Sequence, residues 1–420
     1  MSSLRRNPAL GCAAATVVAG SLLAACGDSE APTASLVKGT VKTVPAGDPR
    51  PYARGDAAFG LAVLSAWCRK DPGKNVVFSP SSLSSGLGMV RFAARGETAA
   101  AMTRTLRQPG GDPLAGLRAR NQAFRSANGP DVTLKTTDQV WSNKTWRPNA
   151  AYLDQVATAY DAGLNLVDFE KDPEGARKTI NADIKKATGG HIADLLPEGS
   201  VKKDIGWVLT DAVYLKAKWE SAFKRSDTQN RPFTTSSGTK ITTPTMSRDG
   251  GDLRYARAGG WTAVDMPYQG RRISMTALLP EPGARGCPAL DAATLDKVTG
   301  ALTPSAVQIS MPKVKLRSKA DMKPMLADLG MGTAFSDKAD LTGLSPKAGK
   351  LAFVHHAATL LVDEKGTEAA AATGSGVEVT SAPPPAGTKV VFDRPYLLLV
   401  RDTRTGEPLF LARVADPSKS

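Results

Sequence analysis

The sequence predicts a single large α+β domain, and three observations carry that prediction. Between residues 55 and 190 apolar residues recur at helical spacing, with brief β-type runs between the helices. From Phe233 to Pro312, and again after Phe392, short β-type runs alternate with Gly and Pro turns, as in antiparallel sheet. Residues 55–417 contain neither a repeat of fixed period nor a Pro/Gly/Ser linker, so one domain is the economical reading. The 420 residues, 41% hydrophobic and 22% charged, suffice for a substantial core and match a soluble globular chain without general disorder.

The chain opens with Arg5-Arg6, an apolar run from Ala9 to Ala25, and Leu23-Ala-Ala-Cys26-Gly-Asp. A charged start, an apolar middle and small residues before a break describe a secretory signal. Gly11, Gly20 and the cluster after Cys26 break the run, against a retained membrane span. Leu-Ala-Ala-Cys resembles a bacterial lipobox, which implies removal of residues 1–25 and lipid on Cys26; a plain signal peptide with an incidental cysteine is the alternative. Residues 26–54, rich in Pro, Ala, Thr and Gly, read as a flexible tether, and residues 55–420 as the folded domain. The expected place is therefore the outer face of the cell membrane. Arg5 and Arg6 leave with the signal, lowering the formal charge of +14 by two. So basic a surface favours anionic cell-wall polymers or lipids, or serves solubility. No dense basic run is interleaved with aromatics, so nucleic acid is not an expected partner. Cys12 leaves with the signal, Cys26 is the lipid site, and Cys68 and Cys287 remain. These two are able to pair in an oxidising compartment, although spacing gives no geometry.

Within the domain, Ala58, Phe59, Leu61, Ala62, Leu64, Ala66 and Trp67 form the buried face of a first helix. Asn75-Val-Val-Phe78 reads as a short strand. Ser79 then caps a second helix started by Pro80 and stopped by Gly96. A strand is expected around Thr137 to Ser142, a helix from Pro148 to Tyr160, a β-run from Leu164 to Phe169, and a helix from Pro173 to Thr188. Trp207 to Glu220 reads as a central strand. After the strand-and-turn region, Ser318 to Leu329 reads as another helix. The chain ends in a hairpin whose turn is Thr405-Gly406.

The unusual stretch is Val362 to Pro385. From Thr367 onward, one set of alternate positions is Thr367, Ala369, Ala371, Thr373, Ser375 and Val377. The other set carries both charges, Glu368 and Glu378. Period two is a strand signature, yet neither face has the bulk of a core strand. Composition alone also suits a flexible Ala/Gly/Ser loop.

Resemblance separates these readings. Asp363-Glu-Lys-Gly-Thr-Glu-Ala-Ala-Ala-Ala372 resembles the reactive-centre-loop hinge of serpins. Asn75-Val-Val-Phe-Ser-Pro-Ser-Ser-Leu-Ser84, Ala94-Arg-Gly-Glu-Thr98, Ile180 to Leu196 and the terminal hairpin are similar to serpin segments in the same order, so the resemblance spans nearly all of residues 55–417. It implies the serpin fold: three β-sheets, about eight or nine helices and an exposed loop.

It also implies a serine protease inhibitor that is consumed as it acts, working as a monomer without cofactor or metal. The protease would form an acyl bond in the loop, and the cut loop would then insert as a strand into the main sheet. About 14 residues at roughly 3.3 Å each reach roughly 46 Å, enough to drag a protease across the molecule. The hinge would be Glu364, Gly366, Thr367, Glu368, Ala369, Ala370, Ala371 and Ala372. Small inward side chains limit the clash, and outward Glu368 and Glu378 stay solvated. Family spacing from Glu364 puts the scissile bond at Thr380-Ser381, with Val379 and Ala382 as alternatives. Val379-Thr380 suits elastase-like or subtilisin-like pockets.

By the same resemblance, Ser79, Ser82, Asp211 and His356 form a polar cluster under the sheet's opening, and Trp219 marks the point where the loop enters. Asp211 stands where the family usually has Asn, Tyr396 replaces a usual Phe, and Ala412 a usual Gly. The first puts a charge or a raised pKa beside His356; the other two are expected to be tolerated.

Catalysis is the weaker expectation. Only His191, His355 and His356 could serve as a base, and no Gly-x-Ser-x-Gly, His-Glu-x-x-His, P-loop or Gly-x-Gly-x-x-Gly occurs. Ser200-Val-Lys-Lys203 and Ser237-Gly-Thr-Lys240 spell the Ser-x-x-Lys of penicillin-binding and β-lactamase enzymes, but without their companion motifs. A non-inhibitory serpin-fold binding protein is the other alternative, and the small hinge residues argue against it.

Overall fold

The computed structural model describes residues 34–250, 253–283, 287, 289–367 and 387–419. Three sheets carry the fold. The main sheet, sheet A, has seven strands in the order β1 (Ser35–Val37), β4 (Leu164–Val167), β3 (Val132–Asn143), β5 (Trp207–Lys218), β15 (Gly366–Thr367), β14 (Val354–Asp363) and β13 (Val314–Asp321). Sheet B runs β11 (Thr303–Pro304), β8 (Arg254–Ala258), β9 (Trp261–Pro267), β10 (Ile273–Pro280), β17 (Tyr396–Asp402), β18 (Pro408–Val414) and β2 (Val76–Phe78). Sheet C is β16 (Thr388–Val391), β12 (Val307–Pro312), β7 (Lys240–Gly250) and β6 (Gln229–Thr234).

The helices are α1 (Arg50–Lys70), α2 (Pro80–Ala93), α3 (Gly96–Thr105), α4 (Pro113–Arg125), α5 (Ala150–Tyr160), α6 (Pro173–Ala187), α7 (Ala292–Gly300) and α8 (Lys323–Leu326). Their starts are chemically specified. Ser79 Oγ accepts the Ser82 amide at 3.1 Å, Asp172 accepts Gly175 N–H at 2.8 Å, and Asp291 accepts Thr294 N–H at 2.7 Å. Pro80 at the first helical position of α2 forgoes an amide that would lack a partner anyway.

Helix α2 is buried almost all round, the mark of a central helix. It supports the back of the main sheet between β3 and β5. Helix α6 covers the lower front of the same sheet, where Ile180 and Ile184 join Trp141, Val208, Phe353 and Ala357 in a separate core. The β17–β18 hairpin lies inside sheet B, and Leu397, Leu398, Val400, Leu409 and Phe410 are fully buried. The two unusual hairpin residues are both buried in this core, the Tyr396 hydroxyl without a hydrogen-bond partner among the described residues. Tyr396 packs edge-on to Phe392, with ring centroids 5.0 Å apart, and Ala412 is buried opposite Leu398.

Three expectations need correction. The tether does not reach Arg54: Ser35–Val37 pairs antiparallel with β4, and α1 already begins at Arg50. Thr40 N–H donates to Asp154, Lys42 N–H to Thr158, and Gly39 presses so closely on α5 that a Cβ would stand 2.2 Å from the Leu153 carbonyl carbon. Partners for a lone segment's amides are invisible to composition. Ser318 to Leu329 is not one helix. Residues to Asp321 extend β13, whose Val314, Lys315, Leu316, Arg317 alternation is already strand-like, and the expected helix holds only from Lys323, α-helical to Leu326 and continuing as a π-helical turn over Ala327–Met331. Gly96 does not stop α2, which ends at Ala93; Gly96 opens α3 with φ +49°.

Cys68 of α1 is disulfide-bonded to Cys287, with Cα atoms 5.7 Å apart. This settles the pairing that spacing left open.

Candidate functional site

The site lies where β5 and β14 part. From Leu209 to Tyr214, β5 pairs directly and in parallel with Val354–Thr359 of β14. Above that zone the two strands are separated by β15. Gly366 and Thr367 pair antiparallel with Lys218 and Ala217 on one side, and with Asp363 and Val362 on the other. The chain leaving β14 thus turns back and wedges its first two hinge residues into the sheet.

The turn that does this is built locally. Asp363 Oδ1 accepts the amides of Lys365 (2.8 Å) and Gly366 (3.2 Å), folding the corner over its own side chain. At Gly366 φ is +150°, and a Cβ would stand 2.1 Å from the Ala217 oxygen, so only glycine passes. Glu364 anchors the corner. Its carboxylate lies 2.9 Å from Lys313 Nζ and accepts Thr228 Oγ1 at 2.8 Å, while its carbonyl takes the Phe223 amide. Burial works against this charge, but the bonds from Lys313, its own backbone and Thr228 outweigh it, and the carboxyl sits below its ordinary range.

Trp219 closes the wedge from beside. Its indole N–H donates to the Asp363 carbonyl at 2.9 Å and its amide to Lys365 O. The indole stacks on Tyr268 with centroids 4.4 Å apart, and the Tyr268 hydroxyl meets Thr367 Oγ1 at 2.6 Å in a fully buried contact. Thr367 therefore has a polar partner on the buried side of the sheet.

Below the wedge lies the polar cluster. Asp211 of β5 is directly opposite Asp138 of β3 and beside His356 of β14, so one row crosses three strands. All three face α2. Ser82 Oγ contacts Asp211 Oδ1 at 2.7 Å and also Asp138 Oδ1. His356 Nε2 accepts the Ser79 amide at 3.3 Å, which leaves Nδ1 to carry the proton, 3.2 Å from Asp211 Oδ2. One hydroxyl proton cannot serve two carboxylates. Ser82 therefore holds both only if one carboxyl is protonated and donates to it. Burial, then the Asp211 charge, raises the Asp138 pKa well above normal, and Asp138 is where that proton belongs.

The structure thus brings together Ser79, Ser82, Asp211 and His356, and separately Glu364, Gly366, Thr367 and Trp219. Thr380, Ser381, Glu368, Ala369, Ala370, Ala371, Ala372 and Cys26 lie outside the described residues. Sequence reasoning missed Asp138, Lys313 and Tyr268. The only signal for Asp138 was a charge inside an otherwise β-type run; Lys313 and Tyr268 depend on register.

The other histidines are engaged elsewhere. His191 stacks on Tyr214 at 3.8 Å, and His355 meets Phe353 edge-on. Ser200 Oγ donates to the Pro197 carbonyl, and Ser237 shares its hydroxyl with Thr235 and Thr239, so neither is turned to its Ser-x-x-Lys lysine. Among the described residues no group of three or more His, Cys, Asp or Glu side chains could hold a metal.

A family model described as Serpin (serine protease inhibitor) matches residues 54–417. A leukocyte elastase inhibitor of Bos taurus is 34% identical over 370 residues, covering 86% of this chain and 97% of that protein. A serpin-like protein of Thermococcus kodakarensis is 31% identical over 353 residues, covering 82% of this chain and 81% of that one. Among solved structures, the thermophilic serpin tengpin in its native state superposes with a TM-score of 0.80 at 23% identity, covering 92% of this chain and 100% of that one. That likeness is one of fold.

Proposed function

The chain belongs to the serpin family, and we propose that it inhibits serine proteases by being cut in its loop and trapping the acyl-enzyme through strand insertion. The observation that carries this reading is the two-residue strand β15. Gly366 and Thr367 already occupy, in register, the first rungs between β5 and β14. From Tyr214 and Thr359 downward, β5 and β14 pair with each other.

Extending β15 downward requires those two strands to part. Each inserted residue would then gain ladder bonds to both neighbours, the mode of strand addition that gives affinity through the main chain. Their parting breaks up the polar cluster, chiefly the approach of His356 to Asp211. Parting gives up the direct β5–β14 ladder and a few buried polar interactions, but the inserted strand forms a ladder with each neighbour, a net gain of backbone bonds that favours insertion once the loop is cut.

Elastase-like or subtilisin-like proteases are the targets we infer from Val379-Thr380 in the loop. A relative's name, leukocyte elastase inhibitor, is in keeping with this. Leu23-Ala-Ala-Cys26 supports secretion and lipid anchoring at the outer face of the membrane.

The test is to mix the purified chain with elastase-like and subtilisin-like proteases and seek a complex that survives SDS. Clean loop cleavage with every protease tried would sink the inhibitor reading. Mass spectrometry of the released peptide fixes the cut, expected at Thr380-Ser381. Loss of membrane association in Cys26→Ser would support the anchor.

A further inference from the structure

Cations line both sides of a trough on the front of the main sheet, the face turned away from α2. Because Asp211 and Asp138 point to α2, strand alternation puts Lys216 and Lys218 of β5, and Lys135 of β3, on the front. The same parity puts Lys315, Arg317 and Lys319 of β13 there, opposite Leu361, Thr359 and Ala357 of β14. All of these cations are exposed except Lys135, which is half-buried. The two sides stand two or three strand spacings apart, roughly 10–14 Å, and cations two residues apart within a strand are roughly 6.7 Å apart.

Their charges are not neutralised. Lys313, next along the edge, is paired with Glu364, whereas among the described residues Lys135, Lys216, Lys218, Lys315 and Arg317 have no ion pair. Lys319 is held by the Asp194 carbonyl, a dipole rather than a charge. Among the described residues, the acids of this face are Asp363, turned onto backbone amides at the top, Asp321, bonded to the Lys323 amide at the bottom, Asp131 ahead of β3, and Asp183 of α6, which accepts the Gln139 side-chain amide on the β3 side. Lysines on an edge strand guard against edge-to-edge pairing, which accounts for β13. It does not account for β3 and β5, which lie inside the sheet.

The floor chooses among polyanions. It carries Thr359 and Leu361, below which Ala357 is buried with Ile192 in the core under α6, and the one Phe, Tyr or Trp among the described residues at this level, Tyr214, is 4% exposed beneath the stacked His191 ring. A nucleic-acid single strand binds through successive bases stacked on open aromatics, and among the described residues the trough offers only the single exposed imidazole of His191, not a series. A phosphodiester chain without bases needs only the charges.

We propose that this trough binds a linear, base-free phosphodiester polymer of the poly(glycerol phosphate) type, lying along β14 between the two rows of cations. A chain so placed ties β5 to β13 across the line where the sheet would part. On the inhibitory reading above, it slows loop insertion.

The test is fluorescence anisotropy of labelled poly(glycerol phosphate) with the full chain, and it needs no protease, so its outcome is separate from that of the trapping reaction. With five charges neutralised at a slope of about 0.7 each, affinity should fall about 100-fold between 50 and 200 mM salt. Lys216→Gln/Lys315→Gln/Arg317→Gln should lower affinity at least 10-fold and reduce the salt slope by about two. Lys240→Gln/Lys338→Gln/Lys347→Gln, an equal charge loss elsewhere, should leave it unchanged. Arg317→Gln alone serves if the triple variant melts early. Absence of binding, equal losses in both triple variants, or single-stranded DNA binding as tightly as the polymer would each overturn the proposal.

Discussion

The hydroxyls of Tyr268 and Thr367 lie 2.6 Å apart beneath the indole of Trp219, so the first inward-facing residue of the loop is already bonded inside the sheet. Thr367→Arg would force a long cation into this buried contact. The expected outcome is a substrate rather than an inhibitor: normal cleavage with SDS-stable complex reduced at least tenfold. Unchanged inhibition would count against strand insertion. Tyr268→Phe keeps the stack but strands the Thr367 hydroxyl, and should cost roughly 1–3 kcal/mol in thermal or urea unfolding.

Gly366 tests the wedge itself. Gly366→Val places a Cβ 2.1 Å from the Ala217 oxygen, and the strand cannot absorb that without moving. Strand β15 should leave the sheet, exposing the amide of Trp219 that now donates to Lys365 O. Hydrogen exchange of peptides covering residues 217–220 and 363–367 should quicken by at least tenfold. Unaltered exchange would mean the wedge does not depend on this glycine.

The facing carboxyls Asp138 and Asp211 predict a pH dependence. Around Asp138 stand Ser82 of α2, Arg120 and Arg125 of α4, and Asp211 of β5. A carboxyl with a raised folded pKa holds more protons folded than unfolded. Stability is therefore full below its unfolded pKa, falls as pH rises through the raised folded value, and levels off above it. Asp138→Asn removes this contribution. The variant should gain on the order of 1 kcal/mol over the parent at pH 8 and little at pH 4. Glu407, also pushed well upward by burial, keeps its own slope in both proteins, so the difference between melting curves reports Asp138. An equal gain at both pH values would refute the assignment.

The Cys68–Cys287 bridge joins residues 219 apart in the sequence. Cys68→Ser/Cys287→Ser, or reduction, should lower stability by roughly 2–4 kcal/mol through freedom returned to the unfolded chain. An unchanged melting temperature under reductant would show that the bridge contributes nothing.

Much of this molecule was legible in one dimension. The Ser79-Pro80 start of α2, the β17–β18 hairpin and the small-residue hinge depend on neighbours within a few residues, where capping, turn chemistry and side-chain size act directly. Family resemblance supplied Ser82, Asp211, Trp219 and His356 by position. Where local pattern was ambiguous it misled: the apolar spacing after Ser318 read as helix, although the last pairs of β13 with β14 extend to Asp321.

What the sequence determined by itself was the alternation of Thr367 with Glu368 and the absence of bulk along the hinge, properties of side-chain order alone. Only the tertiary structure decided what Thr367 meets, that Asp138 faces Asp211 across two strands, that Ser35–Val37 extends the main sheet, and that Cys68 finds Cys287. The reason is physical. Strand register and disulfide geometry are set by packing between segments far apart in the chain, and a shift of one residue would turn Asp138 away from α2 to the opposite face.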